Sequence, residues 1–143
     1  MAWTSMTLRA NRSIPSSTVI PVLHYLDVRA AVAWLQRAFD FHERLEIGTH
    51  RAQMTCGDGA VVVAEAAPNA SPPAAHSVMI RVPNVDAHFA RARAEGARIV
   101  QEPTTFPYGE RQYTAVDPGG HPWTFSESVD DVDPATWGGV LHG

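Results

Sequence analysis

Arg81 has the plainest chemistry to offer in this chain. It ends the apolar run Ser77-Val78-Met79-Ile80-Arg81, and alternate residues of a strand share one face. Ser77, Met79 and Arg81 are therefore expected on one face. The same parity puts Ile20, Val22 and His24 together on an earlier strand, and Thr124 and Ser126 on a later one. A guanidinium on an otherwise apolar face can grip a carboxylate or phosphate through paired N–H donors. The competing reading is a structural ion pair with Glu65 or Glu127. The segment Thr104 to Tyr113 adds Phe106, Tyr108 and Tyr113 beside Pro and Gly. Such an aromatic loop suits a flat organic ligand, with ordinary hairpin packing as the alternative. Ile20, Val22, His24, Met79, Arg81, Tyr108, Tyr113 and Thr124 are thus the candidate ligand-binding residues.

Other reactive side chains read as structural. His88 lies on the apolar stripe of a helix and is expected to be a satisfied, half-buried histidine. His121 follows Gly120 in a turn and is expected to serve hairpin geometry. Cys56 ends a strand with no evident base beside it, so a nucleophilic role is not expected. No serine-hydrolase elbow, phosphate-binding glycine loop or zinc-type cysteine cluster occurs. No catalytic residue is assigned.

The elements that must position these residues come as a repeat. Val19 to Leu26 and Ser77 to Val82 are β-branched apolar runs, each followed by a helix cap, Asp27 or Asn84. The stripes Val28, Ala31, Val32, Leu35 and Val85, His88, Phe89, Ala92 share the spacing i, i+3, i+4, i+7, at a constant offset of 57 positions from Asp27 to Asn84. Three strands are expected after each helix: His42 to Ile47, Arg51 to Cys56 and Ala60 to Glu65, then Arg98 to Gln101, Arg111 to Val116 and Pro122 to Glu127. The turns Gly57-Asp58-Gly59 and Asp117-Pro118-Gly119-Gly120 divide the closing hairpins. The predicted organisation is an arm (1–18), a first βαβββ repeat (19–65), a Pro- and Ala-rich linker (66–76), a second repeat (77–127) and an acidic, Gly-rich tail (128–143), in one domain of 143 residues. The arm reads as loose. The fold class is α+β: a curved mixed sheet, helices on its convex face and a cleft on its concave face, where ligands are held by default.

Bulk properties narrow the partners. The net charge of -4, with 11 scattered Lys and Arg, gives no nucleic-acid footprint. A single cysteine forbids an internal disulfide and agrees with a reducing compartment. No apolar run is long enough to span a membrane, and the N-terminus lacks the order of a signal peptide. A cytoplasmic protein without membrane or nucleic-acid partners is expected.

The doubled βαβββ pattern resembles the vicinal-oxygen-chelate superfamily of glyoxalases, bleomycin-resistance proteins and dioxygenases. The segments that carry the resemblance are Val85-Asp86-Ala87-His88 running to Glu95-Gly96-Ala97, Pro107-Tyr108-Gly109, and Asp117-Pro118-Gly119-Gly120-His121-Pro122-Trp123-Thr124-Phe125. It extends over Val19 to Glu127. It implies a homodimer with sites at the subunit boundary. It also implies that metal-dependent relatives set His, Gln or Glu at inward positions of the outer strands. Those positions fall here on Ile20, Ser77, Thr124 and either Val62 or Val63, which make no competent ligand set for a divalent ion. The resemblance is therefore to the metal-less, bleomycin-resistance-like branch, binding a small organic molecule with no cofactor expected. The alternative is a metal-dependent lyase, isomerase or dioxygenase with a divalent ion held by His24, Glu65, His76 and Glu127.

Overall fold

Asp27 and Asn84 each accept a hydrogen bond from a backbone N–H three residues on, Ala30 at 3.0 Å and Ala87 at 3.1 Å. Each thereby satisfies a donor that a helix start leaves without an internal partner. The helices so opened are α1 (Val28–Phe39) and α2 (Val85–Ala94). Asp40 ends α1 in the left-handed region at φ 64°, which a short polar side chain tolerates. Gly96 follows α2 at φ 87°.

The computed structural model describes residues 8–69 and 76–142. Of the expected linker, residues 70–75 lie outside them. Strands β1 (Val22–Tyr25), β2 (His42–Ile47), β3 (Arg51–Cys56) and β4 (Gly59–Glu65) form one sheet in the order β1-β4-β3-β2. Strands β5 (Val78–Arg81), β6 (Arg98–Thr105), β7 (Glu110–Val116) and β8 (Pro122–Ser128) form a second in the order β5-β8-β7-β6. β1 runs parallel to β4, and β5 to β8; the other neighbours are antiparallel. The architecture is the α+β doubling of βαβββ, with one four-stranded mixed sheet per repeat. β6 runs on beyond Gln101 through Pro103, because it is an edge strand broken by register shifts, where a missing N–H costs little. Among the described residues no helix is long and apolar enough to cross a membrane.

The two repeats share one core. Leu23, Tyr25, Val61 and Val63 of the first sheet lie in the same buried cluster as Tyr113, Ala115, Trp123 and Phe125 of the second. Phe39, at the end of α1, sits 4.8 Å from Phe125, 5.8 Å from Trp123 and 6.0 Å from His88, ring centre to ring centre. Trp34 of α1 donates from its indole to the Glu95 carbonyl after α2 at 3.0 Å. The helical faces therefore pack toward each other, and each sheet's other face points away from this core.

His88 is held in this core as expected. Its Nε2 donates to the Phe39 carbonyl (3.0 Å) and its Nδ1 meets the Tyr113 hydroxyl (2.5 Å). Burial lowers its pKa; the Phe39 carbonyl and Asp40 oppose that and Arg91 adds to it. A base with a depressed folded pKa stabilises the fold above its unfolded pKa, and that stability is lost as pH falls. Urea unfolding is thus expected to show stability dropping below about pH 6.5. A His88→Gln variant should be less stable at pH 7 and flatter in this range.

Candidate functional site

Strand register fixes which side chains reach the two open faces. Val22 pairs with Val62, and Val62 with Gln53, so these share the open side of the first sheet, with His24, Ala64 and Arg51 in the next row. The position left between Val62 and Val63 falls on Val62, since Val63 shares the core side with Leu23. On the second sheet, Met79, Thr124 and Thr114 form one row and Arg81, Ser126 and Gln112 the next. Val22 and Met79 are 45% and 59% exposed, high for apolar side chains on a sheet.

The second open face carries a connected polar row. The Tyr108 hydroxyl donates to Gln112 Oε1 (3.4 Å), Gln112 Nε2 donates to Ser126 Oγ (3.0 Å), and Ser126 Oγ donates to Glu110 Oε1 (2.6 Å). The Ser126 and Ser128 hydroxyls, and then the Arg81 charge, hold the Glu110 carboxyl below its usual range. Arg81 donates to Ser128 Oγ at 3.2 Å and forms no ion pair among the described residues, so the pairing with Glu65 or Glu127 does not occur. Thr124 is engaged with the Thr114 hydroxyl at 2.8 Å. At the rim, Tyr108 stacks with Phe106 at 5.4 Å and meets Trp137 of the tail at 5.5 Å. Trp137 ends a 3-10 turn, Pro134–Trp137, which brings the acidic tail beside the aromatic loop.

Two groups of candidates are relocated. Tyr113 does not line an open face. It pairs with Phe125 on the core side and is fully buried, because its place in β7 puts it out of phase with Thr114. The set His24, Glu65, His76 and Glu127 does not converge. Glu65 is one residue out of phase with His24's partner Ala64, so the two point to opposite sides of the sheet. Glu127 accepts from the Val85 N–H at 2.8 Å and so serves the start of α2. Among the described residues no three His, Cys, Asp or Glu come together in a metal-binding group. Burial pushes the Cys56 thiol up to about 11, which keeps it protonated and unreactive at neutral pH.

Two features went unread in the sequence. Asp117 is more than a turn residue: its buried carboxylate accepts from Tyr25 Oη (2.5 Å), Trp123 Nε1 (2.9 Å) and the backbone N–H groups of Gly119 (2.9 Å) and His121 (3.0 Å). His121 Nε2 donates to the His24 carbonyl at 2.8 Å, a further link between the repeats. Gly119 is required there, since a Cβ would overlap the Tyr25 ring. Nor is the arm loose over residues 8–18; residues 1–7 lie outside the described ones. Gln53, buried on the first sheet's open side, donates to the Ser13 carbonyl at 2.9 Å and accepts from Arg44, which in turn donates to the Arg12 carbonyl at 3.0 Å.

The model of the Glyoxalase/Bleomycin resistance protein/Dioxygenase superfamily matches residues 22–125, from the first strand to the core residue Phe125 of the last. The chain belongs to this superfamily. Among solved structures, it is similar to TioX from Micromonospora sp. ML1, at 36% identity and a TM-score of 0.66, over 82% of this chain and 100% of that one. It shares its fold with a lactoylglutathione lyase from Agrobacterium tumefaciens (19% identity, TM-score 0.62, 87% of this chain and 98% of that one). It also shares it with the fosfomycin resistance protein FosX from Listeria monocytogenes (16% identity, TM-score 0.65, 80% and 94%). No curated protein matches the sequence. Because the superfamily's fold serves both lyases and resistance proteins, activity has to be argued from the side chains on the open faces.

Proposed function

We propose that this superfamily member is a cytoplasmic homodimer that binds a small organic molecule, without a metal, on the open faces of its sheets. The observation that carries the reading is the composition of those faces. The positions where the resemblance puts metal ligands hold Ile20, Val62, Ser77 and Thr124, and the Thr124 hydroxyl is already bonded to Thr114. What the second face offers instead is a guanidinium, an apolar Met79 and an aromatic rim. That set suits a partly flat molecule with a polar edge. Since the repeats pack helix to helix, a second copy is what would turn an open face into an enclosed site.

The test is made on protein purified without added metal. Elemental analysis is expected to find Zn, Ni, Mn and Fe well below one per chain, and sedimentation to find a dimer. Val22→Asp, on an exposed open-face position, is expected to shift the protein toward monomer while costing the fold no more than about 1 kcal/mol. Stoichiometric metal, or a wild-type monomer at every concentration, would overturn the reading.

A further inference from the structure

The arm and the first sheet enclose an open groove of about 920 Å³, lined by residues from Leu8 to Ile20 and by Arg44. Its charge is the reverse of the chain's. The protein carries a net charge of -4, yet among the described residues the lining includes Arg9, Arg12 and Arg44 and no Asp or Glu. Neither Arg9 nor Arg12 forms an ion pair among the described residues. Arg44 is held in place by Gln53 Oε1 and the Arg12 carbonyl. The apolar part of the wall comes from Leu8, Ile14 and Ile20, of which Leu8 and Ile14 are 56% and 50% exposed.

We infer that this groove is a binding site for an organic carboxylate with an apolar body. The anion would sit against the arginines and the body against Leu8, Ile14 and Ile20. Guanidinium groups favour carboxylates because their planar N–H donors match the two oxygens. The groove stands because the arm is pinned at three points. Gln53 Nε2 donates to Ser13 O and Arg44 to Arg12 O, and further along Ser17 Oγ donates to the Asp58 carbonyl at 3.2 Å. Gln53 matters most, since its amide is buried and uses both ends, one on the arm and one on Arg44. The inference rests on the reading above only in that the protein binds an organic molecule; it names the class and moves part of the site to the arm.

The experiment is a titration of the full chain with 2-naphthoate and, separately, with its uncharged analogue 2-naphthamide, followed by amide and Arg side-chain NMR shifts. Naphthoate is expected to shift resonances of residues 8–20 and 44, and naphthamide to bind there at least about tenfold more weakly. The Arg9→Ser/Arg12→Ser double variant alters exposed side chains and leaves the Arg12 carbonyl in place, so it should fold normally and weaken naphthoate by a similar factor. Gln53→Leu, which unpins the arm, should weaken it as well. Equal binding of acid and amide, or no naphthoate shift in the groove, would overturn the inference. Shifts confined to Met79, Arg81 and Thr114 would also overturn it while leaving the open-face reading intact.

Discussion

Replacing Asp117 by Ala is expected to cost the fold about 4 kcal/mol, enough to leave a domain of this size partly unfolded. The carboxylate is 4% exposed and is the acceptor for four donors. A buried donor left without a partner costs about 1–3 kcal/mol, and here the Tyr25 hydroxyl, the Trp123 indole and two backbone N–H groups would be left together. Some relief comes from water entering the hole, which is why the expected value lies below the simple sum. The order within a series is the sharper statement. Tyr25→Phe removes one donor and leaves the carboxylate three, so it should cost only about 1–2 kcal/mol. Asp117→Asn keeps the shape but turns one oxygen into a donor facing donors, so it should fall between the two. Urea midpoints at constant m-value read the series. Tyr25→Phe costing as much as Asp117→Ala would show that the bond between repeats, rather than the turn, carries the energy.

That network also shows where sequence reading stops. Local physics was legible. Asp27 and Asn84 cap helices because a cap needs only its own next three residues, and the stripe at Val28, Ala31, Val32 and Leu35 is the buried face of α1. The strand parity that gives Thr124 and Ser126 one face leaves Trp123 and Phe125 the other, and both are buried in the core. What local signals left open was how side chains pair across the chain. Tyr113 looked like a loop aromatic, and only its register against Phe125 turns it inward. The pattern predicts a curved sheet with both helices on its convex face; nothing local says that the helical sides of the two repeats share one core. Glu65 and Glu127 sit at matching places in the two repeats, and so looked like a pair, but each lies on the core-side parity of its strand. The arm has no periodicity, and the buried amide among its anchors, Gln53, lies in the middle of a strand. A lone polar residue among Ala52, Met54 and the valines of β4 was the one available hint of a partner outside the sheet.

Phe39→Ala is expected to cost about 3–5 kcal/mol, the range for truncating a buried phenylalanine. Its effect should fall on the union of the repeats. Phe39 is 2% exposed and its ring meets Trp34 (4.9 Å) and Phe41 (5.7 Å) of its own repeat, then Trp123, Phe125 and His88 of the other. Edge-to-face pairs of this kind add to simple area burial. Truncation therefore opens a cavity where α1, α2 and β8 converge. It also loosens the Phe39 backbone, whose carbonyl holds His88 Nε2. Two readouts separate this from generic core damage. The pH dependence assigned to His88 should shrink in Phe39→Ala, because a loosened His88 titrates closer to its unfolded value. Hydrogen exchange should rise in α1, α2 and β8 together rather than in the first repeat alone. Phe39→Leu, which keeps most of the volume, should recover more than half of the lost stability. If exchange rises only in α1 and β1–β4, the second repeat holds its core without Phe39, and the shared core is two cores in contact.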